Sequence, residues 1–223
     1  AVNASIAGIF GATGQSCVAG SRLYLQDGIA NEFLEKIVAQ AKKITLGDPL
    51  DDTTQMGPLC TRSQLTHIQS QITKALREGA ELLCGGEGWG DSNSLFFKPT
   101  IVSCPKQNLE IVDTELFGPV LTVIRFKTET EVIELANDTK YGLAAGIFTK
   151  DSAKSLRMTK AIRAGIIWVN TYRAVSPIAQ FGGFKQSGFG RESGFQAIYD
   201  YTRPKTVWMN TSDDPIDNPF IMR

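Results

Sequence analysis

The sequence is poor in the residues that most often announce a chemistry. One histidine, His67, stands among 223 residues, which excludes sites built on histidine pairs and leaves no metal site predicted. The four cysteines, Cys17, Cys60, Cys84 and Cys104, lie far apart with no Cys-x-x-Cys pair. That spacing excludes a zinc ribbon and a disulfide frame, and predicts reduced thiols in a cytoplasmic protein. Neither charge predominates: 23 basic residues balance 23 acidic ones. With no basic excess and no block of like charge, a nucleic-acid partner is not expected. No apolar run approaches the roughly 20 residues that cross a bilayer, so no membrane partner is expected either. The first residues lack the basic, apolar and small-residue succession of a signal peptide.

What is present suits a folded α/β domain. A hydrophobic content of 42% can fill a core, and 21% charged residues can solvate its outside. Ala1 to Phe10 is small, apolar and uncapped, and reads as a helix entered partway, with chain expected upstream. Gly11 to Gly20 is a small-residue loop, and Ser21 to Leu25 a strand. Asp27 is placed to cap a helix whose face is Ile29, Phe33, Ile37, Ala41 and Ile44, closed by Gly47 and Asp48-Pro49. Thr61 to Gln64 has the spacing of a capping box. Leu65, Ile68, Ile72 and Leu76 then form a buried face, and Gly79 ends that helix. Leu82-Leu83 reads as a short strand and Gly85 to Ser94 as a polar turn region. Phe97 to Val102 and Val120 to Phe126 are strands of buried type. A second capping box, Thr128 to Glu131, opens a helix to about Asp138. Ala145 to Thr149 and Ile166 to Asn170 are strands around a helix capped by Asp151. Alternating strands and helices with short connections predict a largely parallel sheet flanked by helices, with chemistry beyond the carboxyl ends of its strands.

Cys17 is the candidate nucleophile. Gly11, Ala12, Gly14, Ser16, Ala19 and Gly20 around it are small, so a substrate can approach the sulfur. The competing role is that of a small buried hydrophobe, and the local sequence leaves both open. Cys60, Cys84 and Cys104 lack such a setting and read as structural. A cysteine–histidine hydrolase would need His67, which sits in an amphipathic helix as a polar-face residue. Phe181 to Gly194 is rich in glycine but fails the spacing of a phosphate loop. Asp51-Asp52 and Asp213-Asp214 read as solvated loop charges.

Taken in order, several segments resemble the aldehyde dehydrogenase superfamily. Gly14-Gln-Ser-Cys17-Val-Ala-Gly-Ser-Arg22 is similar to its catalytic-cysteine motif, and Glu115-Leu-Phe-Gly-Pro-Val120 to a second signature. Trp168-Val-Asn170 and Phe181-Gly-Gly-Phe-Lys-Gln-Ser-Gly-Phe-Gly-Arg-Glu192 resemble its C-terminal signatures. Tyr141-Gly-Leu-Ala and Gly47-Asp-Pro fit as well, and the likeness runs to about Asn210. It implies an aldehyde-dehydrogenase-like catalytic domain over 1–186, a return segment and oligomerisation strand over 187–210, and a tail over 211–223. The family's dinucleotide-binding domain, its Glu-Leu-Gly-Gly-Lys general base and its oxyanion asparagine are absent from this chain, which implies the C-terminal catalytic portion of a longer enzyme.

The mechanism implied for the full-length enzyme is covalent. Cys17 attacks the aldehyde carbonyl, hydride leaves for NAD or NADP, and water releases the acid from a thioester. Glu115 matches the glutamate that bonds the nicotinamide ribose, and Phe117 the aromatic beside the nicotinamide. Gln64 matches a cofactor-proximal position, although capping explains it equally well. Ser16, Val18, Arg173, Val175 and Phe181 are implied around the substrate channel, and Asn170 in packing of the catalytic loop. Gln180 departs from the proline common before Phe-Gly-Gly. The partners implied are a small-molecule aldehyde and further copies of the chain, in a homodimer or homotetramer joined through the C-terminal strand. The 223 residues alone are expected to be inactive and to bind no dinucleotide well. Two other functions stay open: a non-enzymatic domain for assembly or binding, and a relative that passes the thioester to coenzyme A.

Overall fold

The computed structural model describes residues 1–215 and 217–221. Of the predicted tail, Ile216, Met222 and Arg223 lie outside the described residues.

Helix α1 (Val2–Phe10) buries Gly8, Ile9 and Phe10 at its C-terminal end. A tight turn, Gly11–Gly14, and a short loop lead to strand β1 (Arg22–Gln26). Helix α2 (Asp27–Ala41) follows without a break, so Asp27 is its first residue rather than the predicted cap. There its carboxylate complements the positive end of the helix dipole. The helix stops at Ala41, ahead of Gly47, because Thr45 turns away to accept the backbone N–H groups of Gln55 and Met56. Ile44 therefore lies in a loop. The buried line runs through Ala30, Ile37 and Ala41, and Ile29 is 55% exposed.

Helix α3 (Arg62–Arg77) is capped by Thr61, whose hydroxyl accepts the Gln64 N–H at 3.2 Å. The reciprocal half of the box is missing, since the Gln64 side chain is bonded to the Leu116 carbonyl. Ala75 completes the buried face that Leu76 was expected to complete; Leu76 is exposed. The predicted strand from Phe97 to Val102 is divided at Pro99, which has no N–H to give a ladder. Strand β2 (Glu81–Cys84) precedes a small hairpin of β3 (Gly88–Trp89) and β4 (Phe96–Phe97), partly inside the segment expected to be turn alone. Strand β5 (Thr100–Ser103) joins the main sheet. The short helix α4 (Glu110–Asp113), strand β6 (Val120–Phe126) and helix α5 (Glu129–Asn137) come next. Strand β7 (Ala144–Ile147), helix α6 (Ser152–Ala161) and strand β8 (Ile166–Val169) complete the regular elements. Thr128 and Glu131 form the full capping box of α5, and Asp151 caps α6 through the Lys154 N–H at 2.9 Å.

The main sheet has the order β1-β6-β5-β2. β1 and β5 run parallel to β6, and β2 is an antiparallel edge. Alternation along β6 sorts the core. Leu121 and Val123 pack with Ile9, Phe10, Ala30 and Ile37 from α1 and α2, whereas Val120 and Ile124 pack with Leu65, Ile68 and Ile72 from α3. The fold is thus α/β, a mostly parallel sheet flanked by helices. β7 and β8 form a separate parallel pair, with Ile147 packed among Ile162, Ala164 and Met158. Tyr201 to Asn210, expected to join a neighbouring copy's sheet, is in no strand of the single chain. It carries β-forming residues, and Val207, Trp208 and Met209 are exposed among the described residues.

Candidate active site

Cys17 occupies the second position of a turn closed by the Ala19 N–H donating to the Ser16 carbonyl at 2.9 Å. The Ser16–Cys17 peptide is planar and trans, so its N–H points opposite to that carbonyl, away from the inside of the turn. The Cys17 side chain is exposed, Ser16 is half-buried, and Val18 is buried.

The entry to this turn is conformationally costly. Ala12, Thr13 and Gly14 all have positive φ, at 54°, 58° and 70°. For residues carrying a Cβ this left-handed conformation costs on the order of 1–2 kcal/mol each, and a β-branched threonine is a true outlier. Specific bonds hold the segment there. The Thr13 hydroxyl donates to the Gly57 carbonyl at 3.1 Å. The Gln15 amide donates to the Pro58 carbonyl at 3.4 Å and accepts the Cys60 N–H at 2.9 Å. Gly14 lies against the Gly118–Pro119 backbone so closely that a Cβ would overlap the Gly118 carbonyl oxygen.

Beyond Cys17, the Val18 carbonyl accepts the Tyr172 hydroxyl at 3.1 Å. The Gly20 N–H donates to the Gly8 carbonyl at 3.0 Å. The Ser21 carbonyl accepts the Thr122 N–H and hydroxyl at 2.9 and 3.0 Å, which ties the loop to β6.

The contact between Gly14 and Gly118 brings the Glu115 segment to the cysteine loop. Leu116 is buried as the anchor, and its carbonyl takes the Gln64 amide. Glu115 and Phe117 project on either side of it, both exposed, with Phe117 at φ 50° and 43% exposed. An exposed carboxylate and, two residues on, an exposed aromatic ring supply an acceptor and an apolar face of the kinds that fit a ribose and a flat heteroaromatic ring. Gln64 has its amide committed to Leu116, so its contact orders the segment that carries the two. His67 is half-buried on α3, about one turn beyond Gln64.

On the other side, the Asn170 side chain pairs with both backbone groups of Thr149, at 3.0 and 2.9 Å, and extends the β7–β8 ladder. Asn170 and Arg173 have φ of 54° and 59°, and the chain between them folds back over the end of α1. Arg173 Nη1 donates to the Ala7 carbonyl at 3.2 Å and rests over Gly11, where a Cβ would lie 2.8 Å away. Val175 is exposed, and the backbone of half-buried Phe181 pairs with Glu192 at 2.7 and 2.8 Å. Among the described residues neither is hydrogen-bonded to the cysteine turn.

Two corrections concern residues outside the motif. Cys60 is exposed, because its segment is held at the surface by Gln15, although it was expected to be structural. Tyr172 escaped the sequence reading and yet makes the bond to Val18. The remaining thiols are inert: burial raises the Cys84 pKa and pushes the Cys104 thiol up to about 11.

Comparison with known proteins decides the family. The model of the aldehyde dehydrogenase family matches residues 1–207. The chain belongs to that family. A (Z)-2-((N-methylformamido)methylene)-5-hydroxybutyrolactone dehydrogenase from Acinetobacter baylyi is 50% identical over 100% of this chain and 46% of its own length. Aldehyde dehydrogenase, cytosolic 1, from Rattus norvegicus is 45% identical over 92% of the chain and 41% of its own. PnpE from Pseudomonas sp. WBC-3, solved in complex with nicotinamide adenine dinucleotide, superposes with a TM-score of 0.92 at 43% identity, covering 98% of this chain and 45% of that one. The chain thus spans somewhat less than half the length of these relatives.

Proposed function

We propose that the chain is the C-terminal, cysteine-bearing part of an NAD(P)-dependent enzyme that oxidises an aldehyde to a carboxylic acid. Residues 1–186 form its catalytic domain, 187–210 its return and assembly segment, and 211–223 its tail. The observation that carries this reading is the cysteine turn itself, with an exposed thiol, an outward backbone N–H, and Glu115 and Phe117 joined to it through Gly118. Surface thiols at Cys17 and Cys60 suit a reducing compartment, which we take to be the cytoplasm.

Cys17, once its thiol proton has passed to solvent, forms the carbon–sulfur bond to the aldehyde carbonyl, whose π electrons move onto oxygen. The Cys17 N–H donates to that oxyanion, a contact that strengthens as charge develops and so favours the transition state over the ground state. With a dinucleotide bound, Glu115 would accept hydrogen bonds from ribose hydroxyls and the Phe117 ring would offer an apolar face beside the nicotinamide. When bound, the nicotinamide supplies the acceptor for the hydride that leaves the thiohemiacetal, so that Cys17 ends as a thioester. Water then adds to the thioester carbonyl, the carbon–sulfur bond breaks, and the acid leaves.

The 223 residues contain no Glu-Leu-Gly-Gly-Lys run, the motif of the base that would activate this water. A polypeptide of these residues alone is expected to form no NADH from any aldehyde. The deciding experiment uses the full-length protein. Cys17→Ser should abolish aldehyde-dependent dinucleotide reduction while leaving the fold intact. Persistent reduction by that variant overturns the proposal, and product analysis for free acid against acyl-coenzyme A identifies the acceptor of the acyl group.

A further inference from the structure

Tyr172 lies far from Cys17 in sequence, and the fold builds a socket for it from separate places. A Cβ on Gly8 of α1 would lie 2.9 Å from two ring carbons. One on Gly20, at the exit of the cysteine loop, would lie 3.2 Å from the hydroxyl oxygen, and one on Gly146 of β7 would lie 2.6 Å from the ring edge. The Trp168 ring closes the remaining side edge-on, at 4.8 Å between centroids. Trp168 is fixed in turn by its indole N–H donating to the Ala174 carbonyl at 2.8 Å. A phenol gripped in this way has little freedom, and its hydroxyl donates to Val18, the residue after Cys17.

We propose that Tyr172 is a positioning residue of the reaction, one that acts through the cysteine turn and sets the direction of the Cys17 N–H and sulfur. The inference rests on the proposed role of Cys17 and adds to it the group that holds that residue in place. Two carbonyls of the turn are fixed, one in the peptide before Cys17 and one in the Val18–Ala19 peptide beyond it. That of Ser16 is fixed from within by Ala19, and that of Val18 from outside by Tyr172. The Cys17 N–H shares the Ser16 plane and the Val18–Ala19 plane is anchored beyond it, so the Cys17 backbone between them is held at both ends before any substrate arrives, which lessens reorganisation at the moment of attack. Burial pushes the Tyr172 pKa up to about 12, so the phenol remains a donor throughout the working range of a thiolate.

The test uses the full-length protein and three variants. Tyr172→Phe keeps the ring in its socket and removes the bond to Val18. It should lower kcat roughly three- to tenfold for every aldehyde, in line with one neutral hydrogen bond, with the KM for the dinucleotide and the thermal midpoint close to wild type. The pH profile of Cys17 alkylation by iodoacetamide should shift in the same variant. Gly146→Ala keeps the hydroxyl and presses on the ring from β7, and it too should lower kcat. Unchanged kcat and alkylation profile in Tyr172→Phe overturn the proposal, as does full kcat in Gly146→Ala. Cys17→Ser separates the two levels: if it retains activity, the site itself was misassigned; if it is dead while the Tyr172 variants behave as wild type, only the positioning role fails.

Discussion

Gly14 and Gly118 meet backbone to backbone, and Gly14 leaves no room for a side chain at the contact. A Cβ on Gly14 would overlap the Gly118 carbonyl, and one on Gly118 would overlap the Ile68 side chain. This junction joins the Cys17 loop to the Glu115–Phe117 segment. Gly14→Ala would add the cost of φ 70° to that overlap. We expect it to lower unfolding stability by about 1–3 kcal/mol and to abolish activity in the full-length enzyme. Denaturant unfolding and a rate assay check both parts, and a fully active, fully stable Gly14→Ala protein would show that the junction yields.

Thiol labelling should divide the four cysteines into two pairs. Cys17 and Cys60 are exposed, and Cys84 and Cys104 are buried with raised pKa values. A limiting dose of iodoacetamide at pH 8 should mark Cys17 first and Cys60 next. Cys84 and Cys104 should react only after denaturant is added. Peptide mass mapping reads the order, and early modification of Cys104 would contradict its burial.

Stability should fall at alkaline pH. The folded Cys104 thiol titrates at about 11 against an ordinary 9.0, and the Tyr172 phenol at about 12 against 10.0. Both raised values mean that the folded state keeps protons that the unfolded state releases. The stabilisation is therefore fully present below pH 9 and is lost between pH 9 and 12. Cys104 alone should account for about 2 kcal/mol of that loss. Unfolding curves at pH 8.5 and 10.5 for wild type and Cys104→Val test this, with a flatter dependence expected in the variant.

What was legible in the sequence was what is local. The box at Thr128 and Glu131 closes within four consecutive residues, and it is present in full. The similar box at Thr61 is half made because Leu116, far along the chain, competes for Gln64. The apolar period of α2 located the helix, but the buried line passes through Ala30 rather than Ile29, a choice made by the sheet it packs on. Motifs singled out Cys17, Glu115 and Phe117 as candidates, and nothing local says that Gly118 is what joins their segments. Tyr172 was invisible for the same reason. Its socket is made of glycines on α1, the cysteine loop and β7, and no periodicity within one segment encodes such a meeting.

Arg173 gives the last prediction. Its place three residues after Asn170 suggests a guanidinium that reads the carboxylate of an acidic aldehyde with two parallel bonds. The fold gives the same group another partner. Nη1 donates to the Ala7 carbonyl in the last turn of α1, where carbonyls lack intrahelical donors and a cation is favoured by the dipole. The guanidinium also covers Gly11, the first residue of the strained entry to Cys17. Removing it should loosen that entry whatever the substrate. We therefore expect Arg173→Ala in the full-length enzyme to lose about 1–2 kcal/mol of stability and to lower kcat/KM by the same factor for an acidic and a neutral aldehyde of equal length. Steady-state kinetics on the matched pair decide the matter. A loss confined to the acidic aldehyde, with stability unchanged, would assign Arg173 to substrate recognition and leave the end of α1 to be held by other bonds.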